Sequence, residues 1–507
     1  MKEYDEMDYF KPAEELVAVL CNKTQNANPA FFRILVAYYF CKVASMMRCS
    51  ISTKDRGEIP VSMYALNLAN SGSGKGMSTN IMEEEAIQQF RERFLEETFP
   101  LVSVTNLENL ARKRHIKKAT EYDEELESIK VEFNGLGTLA FSFDSGTTAA
   151  VKQMRHKLLM ANAGSMNMEI DEVGSNLLGN IDVLTTFLEL FDVGKVKQKL
   201  TKNTAENTRS EEIPGRTPTN MLLFGVPSKL LNGAKIEEEF YSMLESGYAR
   251  RCFFGLSQSQ AEHKLTALEV YNRTTDPASK IKLVDLSDQL GQLANRVNFQ
   301  KTLSISKDVS LILIEYRLDC ESKANLMPDH EEVKKAELTH RYYKTLKLAG
   351  AYAFIDGSHE VTEDHVYNAI KLSEDSGEAF NKILKRERNY VKLANYIASV
   401  GREVTHVDIM EDLPLYKGSE SQKREMMTLA IAYGYKNNII IKRQYNDGIE
   451  FLKGESLQET DLDSMIISYS KDLAEGYLNE TVKFDDLDKL ITLSDYNFCS
   501  HHFIEKD

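Results

Sequence analysis

The 507-residue sequence is short of the features that mark several large classes of protein. Ten prolines and 26 glycines are too few for a collagen-like or long low-complexity region, and 42% hydrophobic with 27% charged residues describes a globular chain. Its six cysteines (Cys21, Cys41, Cys49, Cys252, Cys320, Cys499) form no C-x-x-C pair, so neither a disulfide framework nor a zinc ribbon is indicated, and a reducing cytoplasm suits them. No run reaches 18 apolar residues, and residues 1–11 are acidic and aromatic where a signal peptide is basic and then apolar. Neither a leader nor a membrane partner is expected. Positive charge is scarce as well: 62 Lys and Arg against 77 Asp and Glu leave a net charge of −15. A general attraction for nucleic acid is thereby excluded, and any such site must be local.

At roughly 150 residues per domain, the length allows about three folding units. Residues 1–57 read as an N-terminal helical collar, because Leu16, Val17, Val19 and Leu20, then Phe31, Phe32, Ile34, Leu35, Tyr38 and Tyr39, recur at helical spacing around a break at Asn26–Pro29. Residues 58–260 read as an α/β core with a parallel sheet. Its strands are Val61–Ala69, Thr138–Phe143, Met166–Ile170 and Met221–Val226, with a charge-rich helical insertion over 81–133 and a helix at Val183–Phe191. Residues 261–385 form a helical lid, with a start signal at Thr362-Glu-Asp364. Over 386–455, three helices precede a hairpin turning at Asp447-Gly448, the pattern of a winged helix, and 456–507 are a tail or connector.

The most informative string is Asn70-Ser-Gly-Ser-Gly-Lys-Gly76, between a buried strand and a helix. Phosphate oxygens call for a concave set of backbone N–H groups at a helix N-terminus, glycines that let the chain approach, and a lysine as a point charge. Gly72, Gly74 and Lys75 supply these parts. The pattern G-x-x-x-x-G-K-[S/T] is imperfect, however, with Ala69 in its first position and Gly76 where a hydroxyl normally holds magnesium. An ordinary Gly/Ser turn with a solvated lysine is the alternative. About 95 residues on, Asp171-Glu172 follows a strand, as a metal-organising carboxylate and a water-activating one must. That strand contains Asn167 and Glu169, more polar than a buried strand tolerates.

Lys195, Lys197 and Lys199 alternate at period two, so an extended segment presents them, with Lys202 beyond, as a basic row. They read equally as a grip on nucleic-acid phosphates or as an edge strand guarded against aggregation. Arg112-Lys-Arg114 with Lys117-Lys118 reads as a solvated helix face. Arg250-Arg251 stands just before an apolar strand, where one guanidinium can stabilise charge developing in phosphoryl transfer and the other can serve a structural salt bridge. Cys499-Ser-His-His502 has no second cluster and indicates no metal site.

Together Ala69–Thr79, Phe141–Thr148, Ile170-Asp-Glu172, Glu189–Asp192, Leu222–Ser228 and Gly247–Arg251 resemble the P-loop ATPase domain of phage and mobile-element primase-helicase replication proteins. The resemblance covers about residues 30–260. Leu346–Leu372 is similar to the helical lid of MCM-type AAA+ helicases, where a winged helix also follows. The resemblance implies that Ser71, Gly72, Ser73, Gly74, Lys75, Gly76, Met77 and Ser78 cradle ATP, with Lys75 at the β and γ phosphates. It further implies that Asp171 organises Mg2+, with Ser78 or Thr79 replacing the missing hydroxyl. Glu172 polarises the water, Ser228 senses the γ phosphate, Arg250 (or Arg251) is a finger reaching a neighbouring subunit, and Arg341 is a candidate second sensor. The same likeness favours DNA contact for Lys195, Lys197, Lys199 and Lys202, since related helicases project a hairpin there.

The expected protein is thus a cytoplasmic ATPase and DNA helicase, in the host cytoplasm if phage-encoded. It would form a homo-oligomer, a hexamer by resemblance, threading single-stranded DNA and working beside a primase or other replisome protein. A nucleotide-switched initiator or helicase loader that does not unwind is the alternative, and a degenerate loop in a purely structural protein is a third reading.

Overall fold

Tyr64–Ala69 is apolar but for Asn67, and such a run is satisfied only inside a sheet covered on both faces. The computed structural model describes residues 2–133, 141–144, 146–196, 213, 215–231, 235–257, 265–385, 388–413, 415–446 and 448–456, and it buries all of Tyr64–Ala69. This segment is the strand β3, preceded by β1 (Ser50–Thr53) and β2 (Gly57–Pro60). It is followed by β4 (Met166–Ile170), β5 (Thr219–Gly225) and β6 (Cys252–Ser257). Strands β3 to β6 form one parallel sheet in the order β4-β5-β3-β6. Phe143 makes a parallel bridge to Met168 on the edge of β4 that β5 leaves free; residues 138–140 of the strand expected over 138–143 lie outside the described residues. The protein is therefore mixed α/β with a parallel sheet.

The polar residues that seemed out of place in these strands each have partners. Asn67 donates to Phe31 O (2.9 Å), and Asn167 donates to Phe141 O (2.7 Å) while accepting from Ser165 and Asn220. The Pro29–Met46 helix, preceded by the Lys11–Thr24 helix, is buried at every residue from Phe31 to Met46 except Arg33. A helix apolar on all sides belongs inside the fold, and this one packs on β3 and β6 as part of the core.

A second sheet, in the order β2-β1-β7-β8, uses β7 (Thr302–Ile305) and β8 (Glu360–Val361). The helices Lys307–Asn325, Glu332–Ile355 and Glu363–Leu384 follow, the last capped by Thr362, whose hydroxyl accepts from His365 N. The chain divides into two compact units at Lys385/Arg386. In the second, helices Asn389–Val400, His406–Asp412 and Glu420–Lys436 accompany β9 (Val404–Thr405), β10 (Ile439–Asn446) and β11 (Ile449–Ser456). These strands form an antiparallel sheet in the order β10-β11-β9 over a core of Leu393, Ile397, Ile409, Met427, Ile441 and Leu452. Among the described residues no helix is long and apolar enough to cross a membrane.

Candidate functional site

The chain leaves β3 at Ala69, turns through Asn70–Gly74 and enters a helix at Lys75. Gly72 (φ +84°) and Gly74 (φ +85°) are left-handed, a conformation that side chains disfavour. A Cβ on Gly74 would also lie 2.6 Å from Thr24 Cβ. The Lys75–Ile81 helix continues with helical backbone through Met82–Ala86, and the N–H groups of its first turn have no intrahelical acceptors. The Lys75 ammonium donates to the main-chain carbonyl of Asp171 and lies 5.5 Å from the centroid of the Phe224 ring. Ser73 Oγ is buried without a hydrogen-bond partner among the described residues, whereas Ser71 is exposed.

Asp171 and Glu172 leave β4 exposed, and Ser228 is exposed in the Pro227–Leu230 turn that follows β5. Among the described residues the Asp171 carboxylate makes no hydrogen bond or ion pair. Glu172 Oε1 sits 2.6 Å from Lys229 Nζ, and hydrogen bonding to Lys229, reinforced by its charge, holds the carboxyl below the usual range. Lys75, Asp171, Glu172 and Ser228 thus gather outside the carboxyl ends of β3, β4 and β5, the place where open α/β sheets receive ligands. Sequence reasoning missed Lys229. Its only signal is adjacency to Ser228, which acquires meaning once β4 and β5 are known to be neighbours. It also missed Asn26, whose side-chain amide donates to Ser73 O (2.9 Å) and so pins the loop from outside.

Not every expected cradle residue faces that crevice. Ser78 is fully buried and its hydroxyl donates to Lys75 O (2.8 Å); Thr79 does the same at 3.0 Å. Both hydroxyls are spent on their own helix. Gly76 and Met77 are exposed, and a Cβ on Gly76 would meet nothing within 4 Å.

Arg250 and Arg251 lie at the other end of the sheet. They precede β6, whose Cys252 is in register with Tyr64 at the start of β3, so six strand residues, ~20 Å, separate them from the loop end. Arg251 pairs with Asp192 at 3.3 Å. Burial, and the neighbouring Arg251 charge, push the Arg250 guanidinium below its ordinary value. Gly247 (φ +123°) makes room for the pair, since a Cβ there would stand 2.8 Å from an Arg251 nitrogen. Arg341 does not reach the crevice. Arg341 is 6% exposed, and its guanidinium is held between the Glu332–Ile355 and Glu363–Leu384 helices by Glu337 (2.6 Å) and Glu374 (2.9 Å). Burial favours a protonated Glu337, yet Lys344 and Arg341 outweigh it and hold that carboxyl at about 2.

Lys195 is exposed just past Gly194, which ends the Ile181–Val193 helix; Lys197, Lys199 and Lys202 lie outside the described residues. Thr217 N donates to Gly194 O (2.9 Å). In the insertion, Arg114 pairs with Glu132 and Lys118 with Glu125. Among the described residues no group of three His, Cys, Asp or Glu converges on a metal position. Compared with protein-family models and with curated proteins, the chain matches none.

Proposed function

We propose that the protein is a P-loop ATPase of AAA+ type that drives a ring helicase, hexameric and acting on single-stranded DNA. The observation that carries this reading is the convergence of Lys75, Asp171, Glu172 and Ser228 at the carboxyl ends of three adjacent parallel strands, with the arginine pair at the opposite end of the sheet. The donor set fits a triphosphate: two left-handed glycines, first-turn N–H groups and, among the described residues, a Ser73 hydroxyl without a partner and one lysine whose only hydrogen bond is to a neutral carbonyl. Asp171, with phosphate oxygens and water, would hold Mg2+. When bound, that ion neutralises charge on the phosphates.

Lys75 would orient the β and γ phosphates, and Ser228 would read the γ phosphate from β5. Glu172 would polarise the attacking water once its pairing with Lys229 is given up. Arg250 or Arg251 would serve the site of an adjacent copy, because within one chain the sheet's length keeps both away. In a protein of net charge −15, DNA would be gripped by a local row beginning at Lys195. The three helices and antiparallel hairpin of the second unit suit a winged helix, which would contact DNA or a primase.

The test is ATP hydrolysis and strand displacement by purified protein with and without single-stranded DNA. DNA-stimulated hydrolysis coupled to unwinding is expected; hydrolysis absent in both conditions contradicts the reading. One observation favours the second reading, a nucleotide-switched initiator or loader. Gly76 offers no hydroxyl and Ser78 turns its own inward, a site built to bind more readily than to hydrolyse. Nucleotide-dependent DNA binding without unwinding would select it.

A further inference from the structure

The Lys42 ammonium, on the Pro29–Met46 helix, is wholly buried and held by carboxylates from two other elements, Glu83 at 3.0 Å and Glu169 at 2.7 Å. Glu83 belongs to the helical run that issues from Lys75. Glu169 is on β4, two residues before Asp171, which follows the end of the strand. Tyr38 also donates to Glu169 (2.9 Å), Arg91 approaches Glu83 at 3.4 Å, and the rings of Phe141 and Tyr39 flank the ammonium at 4.1 and 5.3 Å. Burying a lysine and two carboxylates carries a desolvation penalty that an apolar side chain of similar volume would avoid. Packing alone therefore does not explain Lys42. The charge has another use: it joins the element that carries Lys75 to the element that carries Asp171.

We propose that Lys42 is a positioning residue of the nucleotide site, a buried clamp that sets the spacing between the loop helix and the acidic strand. The inference rests on the nucleotide-binding reading above. Without the ammonium, Glu83 and Glu169 face each other with nothing between them, and like charges in a low-dielectric space repel. That repulsion carries the loop helix away from β4. Tyr38, Tyr39 and Arg91 are the other titratable groups facing this cluster. They supply no second ammonium between the carboxylates.

The experiment is calorimetric titration of the full chain with a slowly hydrolysed ATP analogue and Mg2+. It compares wild type with Lys42→Met, with the triple variant Lys42→Met/Glu83→Gln/Glu169→Gln, and with Glu83→Ala, which frees the loop helix yet keeps the Lys42–Glu169 pair. Lys42→Met should bind on the order of tenfold more weakly than wild type, and the triple variant, which removes the facing charges, should recover to within about threefold. Glu83→Ala should weaken binding several-fold even if Lys42→Met does not fold. Wild-type affinity in Lys42→Met or Glu83→Ala overturns the clamp and leaves nucleotide binding standing. A triple variant as weak as Lys42→Met assigns the loss to packing and overturns it too, whereas a wild type that binds nothing removes the underlying reading as well.

Discussion

The ammonium of Lys75 donates to the main-chain carbonyl of Asp171, joining the first residue of the loop helix to the end of β4. Its acceptor is neutral, so the cation keeps its full charge for an anion. Releasing it forfeits one ordinary hydrogen bond, about 1 kcal/mol. Lys75→Ala is accordingly expected to lower ATP hydrolysis on the order of 10²-fold or more, while the thermal midpoint moves little because the bond is exposed. Steady-state hydrolysis and a melting curve on the same preparation check both halves.

Gly76 is the position at which the loop departs most from its pattern, and it is also open: a side chain there meets nothing within 4 Å. Gly76→Ser is expected to fold, to gain up to about 0.5 kcal/mol from improved helix propensity, and to raise Mg2+-dependent hydrolysis by supplying the missing hydroxyl. Hydrolysis measured across a Mg2+ titration reads this out. An unchanged Mg2+ dependence would show that the hydroxyl has no role at this loop.

The arginines and the loop occupy opposite ends of one sheet, so activity should complement between chains. Lys75→Ala and Arg250→Ala proteins, each inactive alone, are expected to regain part of the wild-type hydrolysis when mixed and allowed to exchange subunits. In mixed assemblies some boundaries pair an intact Lys75 with an intact Arg250. If Arg251 is the finger instead, the same mixture with Arg251→Ala gives the recovery.

Lys347 is buried on the Glu332–Ile355 helix, where Ser62 Oγ (2.9 Å) and Phe191 O accept from it and, among the described residues, no carboxylate does. Burial pushes its ammonium down to about 7, against the partial support of Asp192. An unfolded chain keeps that proton up to its ordinary value near 10.5, so between about pH 7 and 10.5 it binds a proton the folded chain lacks. Stability attributable to this group therefore rises with pH through that window, by up to about 1.4 kcal/mol per pH unit, and the penalty is fullest below pH 7. Lys347→Met is expected to melt higher than wild type at pH 7, with the gap closing toward pH 10. Other groups titrate in both proteins, so the difference between their denaturation curves isolates Lys347.

The sequence made the sheet legible where short, mostly apolar runs stand between turns and helices. Val61–Ala69 and Met166–Ile170 stood out, and the structure places strands at Tyr64–Ala69 and Met166–Ile170. The left-handed glycines of the loop were equally plain, because few other residues adopt that backbone. What stayed hidden depends on pairing between distant segments. The two-residue strand Glu360–Val361 exists only through its bond to β7, and no local pattern announces it. Asn167 and Glu169 looked misplaced until Asn220, Tyr38 and Lys42 were seen beside them. Arg341, read as a possible sensor from its place in the lid, is engaged by Glu337 four residues earlier on its own helix, a spacing visible in the sequence. Ser78 looked available on the helix face, but its hydroxyl turns back to Lys75 O, as serines inside helices often do.

The most direct measurement is calorimetric titration of purified full-length protein with Mg2+ and a slowly hydrolysed ATP analogue, beside the Lys75→Ala variant. Saturable binding at one site per chain, lost or weakened at least tenfold in the variant, is the expected result. No heat from the wild type, or equal affinity in both proteins, would contradict a triphosphate cradle between Gly72 and Lys75.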